Sequence, residues 1–207
     1  MIDYLNFRKD FLDLGFFSLN QIRCRYPNFQ HNNIVRWCDK GLLIPIRQGW
    51  YSFPECVKIP DMERRIANVI YSPSYISLHY TLCFYGMIPE AVMNITSVTT
   101  LKTCEFRNNF GTFVYKTVKP SFFFGYTAKV DREGKGFFMA TPEKALLDLL
   151  YLYPFYKTEQ DMLDLRLDED FMEDEFNVDL MNDYLNRINN NALRVRVNTL
   201  LNAYNIN

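Results

Sequence analysis

Three features of this 207-residue sequence predict an α+β fold. Helical periodicity marks the first 40 residues and returns from Thr141 onward. Short β-rich runs separated by turn residues fill the stretch from Ile95 to Phe138. A hairpin pattern centred on Gln48-Gly49 follows the first helices.

The elements follow in order. A helix is expected from about Tyr4 to Leu14, with Leu5, Phe11 and Leu12 on its apolar side and Gly15 as its end. Ser18 can cap a helix from Leu19 to Arg25, because its hydroxyl accepts from an unpaired N–H of the first turn. Pro27 ends that helix, since the residue before a proline is pushed out of the α region. A third helix runs from about Gln30 to Lys40, with Ile34, Trp37 and Cys38 as its buried stripe and Gly41 as its stop. Leu43 to Phe53 then reads as two strands, with Gly49 supplying the positive φ of a tight turn.

Two short helices, a sharp turn at Tyr26-Pro27-Asn28 and a Gly-centred hairpin are the layout of a winged helix-turn-helix, placed here at residues 1–58. Its third helix carries His31, Asn32, Asn33, Arg36 and Lys40 on the face away from the apolar stripe, and Arg47 and Gln48 fall at the wing tip. These side chains suit double-stranded DNA. Asn can bond an adenine edge in two places, Arg can do the same to guanine, and Lys neutralises a phosphate. From Ser18 to Lys58 six basic residues stand against Asp39 and Glu55. The alternative is a protein-interaction module whose winged domain does not bind DNA.

Cys56 to Pro60 reads as a linker, and residues 61–207 as a second α+β domain with an antiparallel or mixed sheet and flanking helices. Asp61 and Glu63 open a helix carrying Ile66, Ala67, Val69 and Ile70. Ser72-Pro73-Ser74 breaks it, and another runs from near Ser77 to Tyr85. Strands are expected over Val98 to Glu105, Gly111 to Val118, Phe122 to Phe124 and Gly136 to Met139. Thr141 caps a helix with Pro142 at its first position and Glu143 in its first turn. The tail holds helical patterns near Val178 to Ile188 and Ala192 to Tyr204.

The net charge of −1 conceals a gradient. Residues 1–60 carry eight basic and five acidic side chains, whereas 161–207 carry four basic and ten acidic ones. The acidic run from Asp161 to Asp183 reads as a solvated helix face or loop, or as a surface that steers a basic partner. The five cysteines are widely spaced and form no C-x-x-C pair, which points to buried apolar roles in a reducing compartment. The amino terminus lacks the order of a signal peptide and no apolar run approaches a membrane span, so a cytoplasmic protein without membrane contact is expected.

The two histidines share no H-x-x-x-H or H-E-x-x-H spacing, and G-x-S-x-G, P-loop and G-x-G-x-x-G patterns are all missing. No catalytic residues, metal or cofactor are therefore predicted, and the protein reads as not an enzyme.

Three segments together resemble a known family: Lys40-Gly41-Leu42-Leu43 with Arg47-Gln48-Gly49-Trp50-Tyr51; the stretch from Ser74-Tyr75-Ile76-Ser77-Leu78-His79 to Gly86-Met87-Ile88-Pro89; and Ala140-Thr141-Pro142-Glu143-Lys144-Ala145-Leu146-Leu147-Asp148. The resemblance is to the AbiEi-type antitoxins of bacterial abortive-infection, or type IV toxin–antitoxin, systems and covers most of residues 10–155. It implies a winged helix that binds inverted repeats in the protein's own promoter. It also implies a second domain that counters a nucleotidyltransferase-like toxin without a stable complex. Ser77, His79, Glu143, Lys144 and Asp148 are the motif positions in that domain. Glu143 and Lys144 on the first helical turn read either as interaction residues or as structural ones, Glu143 complementing the helix dipole and Lys144 forming an ordinary i, i+4 surface pair with Asp148.

Overall fold

A computed structural model describes residues 2–206 and is a mixed α+β architecture. The N-terminal elements are helix α1 (Tyr4–Phe11), strand β1 (Phe16–Ser18), helices α2 (Leu19–Arg25) and α3 (His31–Asp39), and strands β2 (Ile44–Arg47) and β3 (Trp50–Ser52). The strands form an antiparallel sheet in the order β1-β3-β2. α1 is shorter than the pattern suggests: Leu12–Leu14 tightens into a 3-10 turn before Gly15 takes φ +77°. β1 is too short for an alternating signal, and its pairing with β3 alone defines it.

The expected linker is a packed 3-10 turn, Pro54–Lys58, with Cys56 buried. Helix α4 (Met62–Ile70) follows, then strand β4 (Ser74–Ile76), helix α5 (Leu78–Phe84), strands β5 (Ile95–Thr99), β6 (Cys104–Asn108), β7 (Gly111–Thr117), β8 (Tyr126–Val130) and β9 (Gly136–Ala140). Helices α6 (Pro142–Leu152), α7 (Glu159–Leu163), α8 (Glu169–Asp174), α9 (Val178–Ile188) and α10 (Asn191–Ala203) close the chain. Among the described residues, no helix is long and apolar enough to cross a membrane.

The larger sheet runs β6-β7-β5-β4-β9-β8 and is mixed, with β4 parallel to β9 and β5 parallel to β7. Three expectations change here. The segment expected only to break a helix supplies β4, whose three residues are all buried and so show no alternation. Val98 to Glu105 divides between β5 and β6. Phe122 to Phe124 is not a strand. Pro120 starts a 3-10 turn, and two of the rings pack onto helices, Phe122 stacking on Tyr151 at 3.9 Å and Phe124 meeting Tyr184 at 5.3 Å.

Both faces of this sheet are covered, so successive residues enter different cores. Tyr75, Val98 and Ala140 pack under α5, α6 and the C-terminal helices. Ile76, Phe113, Tyr115, Phe137 and Met139 share a second core with α4 and the N-terminal elements. Where β4 and β9 diverge after a single bridge, Ile76 to Met139, the Asn68 side chain fills the gap. Its amide donates to Phe138 O at 3.2 Å and Ser74 O at 3.4 Å, and accepts from Phe138 N at 2.5 Å.

The acidic run forms α7, α8 and their flanks. Asp161 and Asp168 are spent on helix starts, Asp161 accepting from Lys157 N and Thr158 N and Asp168 from Phe171 N. Asp168, Glu169, Asp170, Glu173 and Asp174 are exposed, which fits a solvated helix face.

Candidate nucleic-acid interface

The expected DNA-reading surface is built on α2 and α3. Ser18 and Gln21 form a reciprocal capping box at the start of α2, so two otherwise orphaned N–H groups are satisfied. Asp10 of α1 accepts from Arg25 at 2.9 Å and from Tyr26 at 2.7 Å, fixing the end of α2 on α1. Those two donors, Arg25 first, hold the Asp10 carboxyl below the usual carboxylate range.

α3 is anchored by Ile34 and Trp37. The Trp37 indole meets Phe7 at 4.7 Å, Tyr4 at 5.4 Å and Phe29 at 5.8 Å. That wedge turns the opposite stripe outward. His31, Asn32, Val35, Arg36, Asp39 and Lys40 are exposed and Asn33 is half-buried. Arg36 donates to Asn33 Oδ1 at 3.1 Å, so its guanidinium is already oriented by its own helix. Asn28, Gln30, Asn32, Asn33 and Arg36 line one groove along α3, a row of amide donors and acceptors. His31 and Gln48 line another, between the starts of α2 and α3 and the hairpin turn.

The hairpin tip is compact. Leu19 N donates to Gly49 O at 2.8 Å, which holds the turn against the start of α2. Gln48 is exposed there. Arg47, expected to face DNA at the tip, is turned the other way: it donates to Ile70 O and its guanidinium lies over Phe106 at 4.1 Å and Tyr71 at 4.7 Å. The reason is tertiary. β2 lies against β6, and Asn108 Nδ2 donates to Ile46 O at 3.0 Å in the same seam. Arg47 thus fastens the small sheet to the large one.

The second set of motif residues divides. Ser77, Lys144 and Asp148 meet in the core, although about 70 residues separate them along the chain. Lys144 Nζ donates to Asp148 and, at 2.8 Å, to Tyr75 Oη, while Tyr75 Oη and Ser77 Oγ each donate to Asp148 Oδ2 at 2.9 Å. The expected surface pair is fully buried, because α6 lies under α5, α9 and α10 and its first turns have no outer face. Burial pushes the Asp148 carboxyl up and the Lys144 ammonium down, and each is pulled back by the other's charge. Burial and the neighbouring Asp148 also lift the Tyr75 phenol. With no exposed atom, this network cannot reach a substrate. It can lock β4 to α6.

Tyr75 is the member that the spacing argument missed. Its position two residues before Ser77 in an extended segment puts both on one face, which is the available signal. Glu143 is also buried and accepts from Asn177 N at 3.0 Å, tying α6 to the start of α9. His79 stands apart, half-buried beside Glu90, Tyr156 and Asp164. Burial lowers its pKa, and Glu90 opposes the shift. Among the described residues, no group of three or more His, Cys, Asp or Glu side chains is placed to hold a metal.

No protein-family model matches this sequence, and no curated protein matches it.

Proposed function

We propose that the N-terminal elements are a winged helix-turn-helix that binds double-stranded DNA through α3. The supporting observation is the element order helix, strand, helix, helix, strand, strand with sheet order β1-β3-β2, which leaves the Asn32, Arg36 and Lys40 stripe of α3 exposed. Because Arg47 is engaged elsewhere, the reading assigns contact to α3, His31 and Gln48 and gives the short wing a minor part. Few basic side chains remain on the face, so affinity is moderate and salt-sensitive.

The resemblance extends this proposal to an AbiEi-type antitoxin that represses its own promoter and counters a nucleotidyltransferase-like toxin. In that reading Tyr75, Ser77, Lys144 and Asp148 maintain the fold of the antitoxin region, and no stable toxin complex is assumed.

Electrophoretic titration of the DNA upstream of the gene tests the DNA step. The triple variant Asn32→Ala, Arg36→Ala, Lys40→Ala should bind about tenfold or more weakly, with a salt dependence shallower by about one to two charges. Parental affinity and salt slope in that variant would overturn the assignment of α3.

A further inference from the structure

The large sheet has two outer strands, β6 and β8, and they are treated differently. The β6 edge is approached by β2: the Asn108 side chain reaches Ile46 O, and Arg47 lies over Phe106. The β8 edge is open, and its hydrogen-bonding groups can be assigned from the ladder to β9. Thr141 N donates to Gly125 O at 3.0 Å and Asp131 N to Lys135 O at 2.9 Å, bracketing the paired residues. These bonds place Thr127 and Lys129 in hydrogen-bonded pairs with β9. The N–H and C=O of Tyr126, Ala128 and Val130 therefore point away from it. The far side of the ladder agrees, because Phe138, opposite Ala128, turns its own N–H and C=O away from β8 and gives them to Asn68. Among the described residues, none of the six outward groups of β8 has a partner.

Protein edges are normally blunted by proline, bulges or charge. β8 has no proline, its register with β9 is regular, and its one charge, Lys129, lies over the Tyr85 ring at 5.2 Å. Apolar surface flanks it, with Val130 69% and Phe138 48% exposed.

We propose that this edge pairs with the same edge of a second copy of the chain, antiparallel about a twofold axis through Ala128. The sequence of β8 is self-complementary in that register. Ala128 faces Ala128 of the partner subunit, so the centre is free of bulk. Tyr126 faces Val130 of the partner subunit, an aromatic and β-branched pair that favours strand association. Lys129 faces Thr127 of the partner subunit, whereas an axis through Lys129 would set two ammonium groups against each other. Every outward N–H of the two strands finds a carbonyl, and the two sheets become one. The inference stands apart from the DNA reading and is measured without DNA.

Sedimentation equilibrium of the full chain across the micromolar range tests it. The parent should dimerise. Ala128→Pro removes an N–H that β9 does not use and should give a monomer with unchanged circular dichroism. At exposed Thr127 the sign of the effect reports the register. Thr127→Lys sets like charges across the axis twice and should weaken the dimer about tenfold, while Thr127→Glu faces Lys129 and should tighten it. A parent that stays monomeric overturns the proposal. So does a dimer indifferent to Ala128→Pro, or one that Thr127→Lys and Thr127→Glu shift in the same direction.

Discussion

Replacing Lys144 with methionine is the sharpest perturbation of the core. Methionine fills a similar volume, so packing is largely kept, but Asp148 is left with 0% exposure and without its counter-ion. Ser77 and Tyr75 still donate to one carboxylate oxygen at 2.9 Å, while Oδ1 loses the Lys144 ammonium. Breaking a buried pair from one side costs about 3–5 kcal/mol. At about 2–4 °C per kcal/mol for a chain of this size, the midpoint should fall by about 6–20 °C. Lys144→Met with Asp148→Leu removes both charges and strands only the Tyr75 and Ser77 hydroxyls. The double variant should therefore be less destabilised than the sum of the two single variants. Urea unfolding followed by circular dichroism gives all the free energies of the double-mutant cycle. A single variant within about 1 kcal/mol of the parent, or additive effects, would refute the view that the network is held by mutual neutralisation.

Two further predictions concern smaller features. Arg47→Ala removes a bond to Ile70 O and two ring contacts, so it should cost about 1–3 kcal/mol in thermal unfolding while leaving the salt slope of the proposed DNA binding unchanged; a shallower slope would place Arg47 in that proposed contact. The Asp161 carboxyl is held below its usual value chiefly by the backbone N–H groups of Thr158 and Lys157. Its contribution to the start of α7 is therefore full above about pH 4 and is lost as pH falls through the lowered value. Amide hydrogen exchange in α7 should accelerate over that acid window in the parent, while an Asp161→Asn variant should show no such pH step there.

Local chemistry in the sequence determined the helix boundaries that rest on adjacent residues. Ser18 with Gln21, Thr141 with Pro142, and the stop at Gly86 act within a few residues of themselves, so their meaning survives without a fold. The hairpin at Gln48-Gly49 and the outward stripe of α3 were legible for the same reason, since a turn and a helical period are short-range patterns. The α+β class followed from the change of period along the chain. Tertiary structure alone decided the rest. β1 and β4 are three-residue strands whose identity comes from distant partners, Trp50 to Ser52 for one and Ser97 to Thr99 for the other. Arg47 looks like a wing-tip cation until β6 supplies Phe106 and a seam to fasten. Lys144 and Asp148 have the spacing of a surface pair, and only the helices packed over α6 make them a buried network with Tyr75 and Ser77. Periodicity records which side of an element is apolar. It cannot record which neighbour will cover a polar side, and that covering sets whether a charge is solvated, stacked or buried.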